Sequence, residues 1–187
     1  MRVDKIADVK LQAKLVVATM VLFVVLLALN EWLLLRFEFG PGISYVYLPA
    51  GARLICILLF AEAGAVGLLL ISWLVCFFYF FPNDFMRSFA GGILAALGPY
   101  LANLIDRGMF GLRPSLSNLS SRRLLLCILT YSAASPLLHH AWFWLHGDPT
   151  SLRSLLAMMM GDLNGTLIVV YLCKFLLSLL PASPQPR

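Results

Sequence analysis

Two short stretches carry ionisable side chains inside segments that are apolar enough to cross a membrane. Residues 45–53 (YVYLPAGAR) end at Arg53, and residues 161–165 (GDLNG) contain Asp162. A charged residue within a membrane span is costly, usually faces the bundle interior and by default marks a functional site. A guanidinium can engage a carboxylate through two parallel hydrogen bonds. We therefore predict that Arg53 and Asp162 meet inside the protein.

The depth of these polar residues suggests one common level. Counting 1.5 Å per residue from the outer ends of their helices puts Arg53 and Asp162 about 12 Å deep, and His139 about 10 Å deep. One interpretation is a ligand-binding pocket open to the outer face and walled by Arg53, His139, Asp162 and Asn164, where the histidine would serve as a pH or proton switch. The other is that the Arg53–Asp162 pair only fixes the register of two helices.

Helix-breaking and small residues flank both charged positions. Pro49 has no amide hydrogen and disfavours helical geometry at the residue before it, so this span is expected to be short and to start late or be interrupted. Irregular backbone at that depth is tolerated only where it is buried in protein or lines a polar cavity. Gly51 permits close approach of another backbone. Gly161 and Gly165 have the small-xxx-small spacing of closely packed membrane helices.

The composition indicates a membrane protein. The 187 residues are 61% hydrophobic and 12% charged, against about 45–50% and about 25% in soluble domains. The length fits one compact bundle without a separate catalytic domain. A net charge of +5 would fit nucleic-acid binding, but the basic residues cluster at the ends of apolar segments. Orientation in a lipid bilayer explains them better, so no nucleic-acid partner is predicted.

The order of apolar segments predicts an all-α, polytopic bundle of six transmembrane helices over residues 15–180, with a tight turn at Glu62 between the second and third. Residues 1–14 are predicted to be a basic cytoplasmic segment and residues 181–187 a disordered tail. With both termini in the cytoplasm (N-in/C-in), ten basic residues lie inside, three lie outside and Arg53 lies within the membrane. This asymmetry follows the positive-inside rule. We therefore predict a multi-pass protein of a bacterial inner membrane.

Motifs for catalysis and metal binding are weak in this sequence. The four cysteines lie in different apolar segments without CxxC or zinc-type spacing. His139 and His140 diverge by about 100° on a helix, and there is no HExxH motif. Ser132 and Ser135 share a helix face with His139, but no oxyanion-site motif accompanies them. No GxGxxG or P-loop motif is present. We expect no metal, no cofactor and no enzymatic activity.

Residues 47–51 (YLPAG) open a span, small residues recur in the middle spans, and residues 160–165 (MGDLNG) open the last span. In these features the sequence resembles the membrane-associated sensor (MASE-type) domain, over roughly residues 45–180. That family supplies the membrane input of bacterial histidine kinases and cyclic-di-GMP enzymes. Its members usually have a longer membrane region and a cytoplasmic output domain, whereas this chain ends at Arg187 and adds a basic first span.

The resemblance implies a sensor or small-ligand-binding module that acts alone or through a partner protein, and it carries over no kinase or cyclase activity. A rival interpretation is the substrate-binding subunit of an energy-coupling-factor vitamin transporter, which also has six helices and a pocket toward the outside. A third is a structural subunit of a membrane complex. In the first two interpretations the ligand is a small molecule that the sequence does not identify.

Overall fold

The computed structural model describes residues 2–40 and 43–179, and their side chains except those of residues 2–7 and 35. The predicted tail at 181–187 lies outside these residues. The described part is 82% helical, with one small two-stranded antiparallel hairpin. The elements in chain order are α1 (Arg2–Leu34), β1 (Glu38–Gly40), β2 (Ile43–Ser44), α2 (Pro49–Val75), α3 (Phe85–Met109), α4 (Ser121–Leu145) and α5 (Leu152–Ser178).

Five helices within the described residues are long and apolar enough to cross a membrane. They are α1 from Asp8 onward, α2 together with the π-helical residues Cys76–Phe80 that follow it, and α3, α4 and α5. Many of their large apolar side chains face outward, among them Val17, Leu59 and Phe78. Apolar side chains on the outer surface are costly in water and suit a lipid environment. The fold is thus that of a helical, multi-pass membrane protein.

Local sequence signals set where the helices begin. Pro49 occupies the first turn of α2, where its missing N–H has no helical partner to lose. The side chain of Asp84 accepts a hydrogen bond from the Arg87 N–H at the start of α3. Ser151 and Ser154 form a reciprocal capping box at the start of α5. Such caps satisfy amide groups that helix geometry leaves unpaired.

The chain reverses direction within α2. Ala61 has φ 48° and ψ −114°, outside the helical region. Gly64 lies directly against the carbonyl oxygen of Cys56, eight residues earlier. Tyr47 and Phe80, near the two ends of α2, line the same cavity, whereas a straight helix of this length would hold its ends about 40 Å apart. The segment is therefore a hairpin of two antiparallel arms, 49–60 and 62–75, and the predicted turn at Glu62 lies one residue from the reversal.

The helices pack around α2, which contacts α1, α3 and α5, while α4 contacts α3 and α5. Small residues allow the closest approaches. Gly67 packs against Thr19 of α1, and Gly98 of α3 packs against Ser135 of α4. Van der Waals packing and interhelical hydrogen bonds, rather than a hydrophobic driving force, hold helices together in lipid. Glycine at these crossings is what brings the backbones near enough.

Residues 44–48 precede α2 outside the helix, and we call them the lead-in segment. Leu48 nevertheless has helical backbone angles, φ −58° and ψ −36°, so the expectation of non-helical geometry at the residue before Pro49 is wrong. The Tyr47 N–H donates to the Gly161 carbonyl of α5 at 3.1 Å, and the Leu48 N–H donates to the side-chain oxygen of Asn30 of α1 at 2.9 Å. The side chain of Asn164 donates to the Tyr45 carbonyl at 3.0 Å. Buried backbone groups need such partners. The late start predicted for this helix is found, and α1 and α5 supply the hydrogen bonds that it requires.

Candidate functional site

A cavity of about 390 Å³ lies at one end of the bundle. Its wall combines the loops before α2, α3 and α5 with residues that lie deeper on the helices. We call the part formed near the loops the upper wall and the part formed by residues deeper on the helices the deep wall. Aromatic side chains form much of the upper wall, and charged side chains occur on both. The lining residues of the cavity include Tyr47, Arg53, Phe80, Phe81, Arg87, Ala95, His139, His140, Trp142, Phe143, Asp148, Met158 and Asp162.

Arg53 forms part of the deep wall. It lies one turn into α2 and is only 7% exposed. Its guanidinium carbon lies 5.4 Å from the ring centre of Phe23 and 5.3 Å from that of Tyr47. A cation held over two aromatic faces is stabilised by their quadrupoles, and more strongly where water is excluded. The Nε atom of Arg53 is buried and makes no hydrogen bond. The guanidinium is thus held in place by the two rings, and its Nε–H has no acceptor among the described residues.

Asp162 lies on the same cavity wall and is 1% exposed. Gly161 before it and Gly165 after it bring α5 against the lead-in segment, which sets the height of the carboxylate. Asp162 and Arg53 interact electrostatically, but among the described residues no hydrogen bond joins them, and Asp162 Oδ2 is buried without a partner. The sequence interpretation of a doubly hydrogen-bonded pair is therefore not what the structure has. The two side chains line the same cavity and have no hydrogen bond between them.

His139 and His140 both line the cavity and each is 8% exposed. His139 Nδ1 is hydrogen-bonded to the Ser135 carbonyl at 2.9 Å. Because a carbonyl can only accept, Nε2 is the unprotonated nitrogen of the neutral ring. His140 uses both nitrogens, 3.0 Å from the Pro136 carbonyl oxygen and 3.1 Å from Ser154 Oγ. The two rings point in different directions, as expected, but His140 also lines the cavity. It does so because α5 packs close enough for Ser154 to bond its ring.

Arg87, one of the three basic residues predicted to lie on the outer side (Arg36, Arg87 and Arg153), is a second cation on the cavity wall. Its guanidinium carbon lies 4.6 Å from the ring centre of Phe81 and 5.5 Å from that of Phe143. Its Nε is buried without a hydrogen-bond partner. Both arginines thus face the cavity from aromatic supports, Arg53 at depth and Arg87 near the rim.

Asn164 does not line this cavity. Its side chain holds the lead-in segment through Tyr45, so the structure gives it a positioning contact in place of the predicted wall position. The glycines predicted to be structural lie at close contacts. Gly161 packs on the Ser44 carbonyl and Gly165 on the Tyr47 carbonyl, whereas Gly51 packs on the side chain of Val169 and not on another backbone as expected. These contacts join α5 to the start of α2, which is how Asp162 and Arg53 come to face one space.

Buried hydroxyl groups on α4 and α5 add to the polar interior of the bundle. The hydroxyl oxygens of Ser132 and Thr166 have no hydrogen-bond partner within the described chain, and these two residues are at most 4% exposed. Tyr131 and Ser135 are electrostatic neighbours of Arg53 and Asp162 respectively. Buried polar groups without protein partners typically bind ordered water or a ligand. No group of three or more potential metal ligands occurs in the part of the chain that the structure describes.

The sequence carried signals for two of the residues that its interpretation missed. Asn30 is a lone amide in an apolar run, and it is 4% exposed, so the rule that polar residues in spans face the interior applied to it as well. Arg87 follows an aromatic run by six residues, which favours a cation over ring faces. Tyr131 carried no comparable signal, because tyrosine is common in membrane helices.

No family model, curated protein or solved structure matches this chain. The geometry of the cavity is therefore the basis for assigning a function. Two arginines and two aspartates face this cavity, and aromatic rings wall its upper part.

Proposed function

We propose that this chain is a sensor-like or ligand-binding module of a bacterial inner membrane, which receives a small molecule from the outer side and signals through a partner protein. The observation that carries the proposal is the cavity, whose deep wall holds a buried arginine and a buried aspartate that do not bond to each other. Ligand sites are concave and mostly apolar, with a few well-placed polar groups. The resemblance to the membrane-associated sensor domain points the same way.

The proposed topology has six spans, with both termini in the cytoplasm. Each arm of the α2 hairpin crosses the membrane, although the first arm covers only about 18 Å at 1.5 Å per residue. The lead-in segment before it lengthens this arm toward the membrane thickness of about 30 Å. The hydrogen bond from the Tyr79 hydroxyl to Glu31 at 2.9 Å ties the end of α2 to the end of α1. It supports placing the loops after both helices on one side.

Cysteine labelling in intact cells tests this topology. In a Cys173→Ser background, because Cys173 is the exposed native cysteine and the other three are buried, Phe39→Cys and Asn83→Cys are both expected to react with a membrane-impermeant maleimide. Ser117→Cys, in the loop between α3 and α4, is expected to react only after permeabilisation. If α2 crossed the membrane once, Phe39 and Asn83 would lie on opposite sides, and only one of them would be labelled in intact cells.

The inner half of the bundle supports binding without passage. A packed cluster that includes Leu54, Leu58, Ala102, Ile128 and Tyr131 lies there, and Leu54, Ala102 and Tyr131 are fully buried. A molecule that enters the cavity meets this layer and stops. The occupied cavity would then act on a partner through shifts of the helices that wall it. A substrate-binding transporter subunit is the alternative, in which the same layer would have to open.

The experiment measures thermal unfolding of the protein in lipid nanodiscs across a panel of small metabolites. A ligand is expected to raise the midpoint temperature of the natural protein and to have no effect on Met158→Trp, which fills part of the cavity. No stabilisation by any compound, or equal stabilisation of both proteins, would refute the site. Accumulation of an identified ligand by intact cells would favour the transporter subunit, whereas binding without accumulation would favour the sensor.

A further inference from the structure

The deep wall of the cavity leaves one donor and one acceptor unused. Arg53 Nε and Asp162 Oδ2 are both buried and unbonded, and both residues line the cavity. A charged group that is buried without a hydrogen-bond partner is costly, more so than a neutral one. A ligand that satisfies only one of them leaves the other in that state. The best complement is a molecule that carries an anionic and a cationic group close together.

We propose that the cavity binds a small zwitterion, namely an amino acid whose side chain is large and apolar or aromatic. Its carboxylate binds Arg53 and its ammonium group binds Asp162. This proposal rests on the proposed function, since it names the ligand class of the same cavity.

Arg53 suits a carboxylate because its position is fixed before the ligand arrives. The rings of Phe23 and Tyr47, 5.4 and 5.3 Å from the guanidinium carbon, hold it from two directions. A guanidinium can engage a carboxylate through two parallel hydrogen bonds. A side chain that is already ordered loses little further entropy on binding.

Asp162 suits an ammonium group for the complementary reason. Ionised carboxylates only accept hydrogen bonds, and an ammonium group only donates them. Ser135 lies beside Asp162, and its hydroxyl oxygen offers a second acceptor for such a donor.

The upper wall indicates the side chain of the ligand. Phe80, Phe81, Trp142 and Phe143 line it, and aromatic rings pack well against other rings or large aliphatic groups. The volume of about 390 Å³ lies near the lower end of the range of about 300–1,000 Å³ for ligand pockets. That size suits one amino acid better than a peptide or a nucleotide.

The test is isothermal titration calorimetry in lipid nanodiscs, first with each common amino acid and then with analogues of phenylalanine. Phenethylamine lacks the carboxylate and 3-phenylpropionate lacks the amine. Each analogue is expected to bind at least about tenfold more weakly than phenylalanine, because one buried charge stays unpaired. Asp162→Asn keeps the shape of the side chain and is expected to remove most of the preference for phenylalanine over 3-phenylpropionate. Asp8→Asn, at the far end of α1, is the matched control and is expected to leave it unchanged.

The outcomes separate this proposal from the function it rests on. If an analogue binds as tightly as phenylalanine, the ligand is not a zwitterion and the binding function stands. The same conclusion holds if no common amino acid binds at millimolar concentration while another metabolite binds to the natural protein and not to Met158→Trp. If the preference survives in Asp162→Asn, Asp162 does not hold the ammonium group and the proposal is overturned. If nothing binds in a Met158→Trp-sensitive way, the proposed function itself fails.

Discussion

Gly165→Ala is expected to lower the free energy of unfolding by more than about 2 kcal/mol, because a side chain at this position has no room. An added Cβ would collide with the carbonyl oxygen of Tyr47 and with the backbone that follows it. The obstacle is backbone and cannot move aside as a flexible side chain would. The lead-in segment would be pushed away from α5, and the hydrogen bond between the Tyr47 N–H and the Gly161 carbonyl would be lost.

Gly108→Ala is the matched control for this change. Gly108 is also a helical glycine, in α3, and an added Cβ there would meet nothing within 4 Å. Alanine has a higher helix propensity than glycine, so Gly108→Ala is expected to raise stability by about 0.5–1 kcal/mol. Unfolding in mixed detergent micelles measures both. If Gly165→Ala were as stable as Gly108→Ala, the close contact between α5 and the lead-in segment would be wrong.

The sequence was informative about local backbone and much less so about side-chain partners. Pro49 predicted a late helix start, because the missing N–H acts within its own segment. The small-xxx-small spacing marked Gly161 and Gly165 as points of close approach, but the partner that they meet is non-helical backbone, not a straight helix. That partner depends on how α5 packs against the chain before α2, which no local pattern encodes.

The charged residues illustrate the same limit. Equal depth along two helices was enough to expect Arg53 and Asp162 in one site, since depth follows from counting residues. Whether they touch depends on how each helix is rotated about its axis and on what lies between them. The rings of Phe23 and Tyr47 hold the guanidinium, and Phe23 comes from α1, a helix that the sequence interpretation did not connect to this site.

Arg53→Met is expected to lower the free energy of unfolding by about 3 kcal/mol. The change removes the cation–π contacts with Phe23 and Tyr47 and leaves Asp162 buried without its electrostatic neighbour. In that background Asp162→Asn is expected to recover part of the loss, because it removes the uncompensated charge. The coupling energy of the two changes should be about 1 kcal/mol, below that of a buried ion pair in direct contact, since the two residues share no hydrogen bond.

A double-mutant cycle from unfolding measurements gives this coupling directly, with Asp8→Asn in place of Asp162→Asn as the control pair. Asp8 lies about 22 Å along α1 from Phe23, the residue of α1 that contacts Arg53, so its effect should add to that of Arg53→Met within about 0.5 kcal/mol. If the Arg53 and Asp162 changes were also additive, the two charges would not sense each other. The cavity would then hold two independent charged residues, and a ligand would have no reason to need both of its charges.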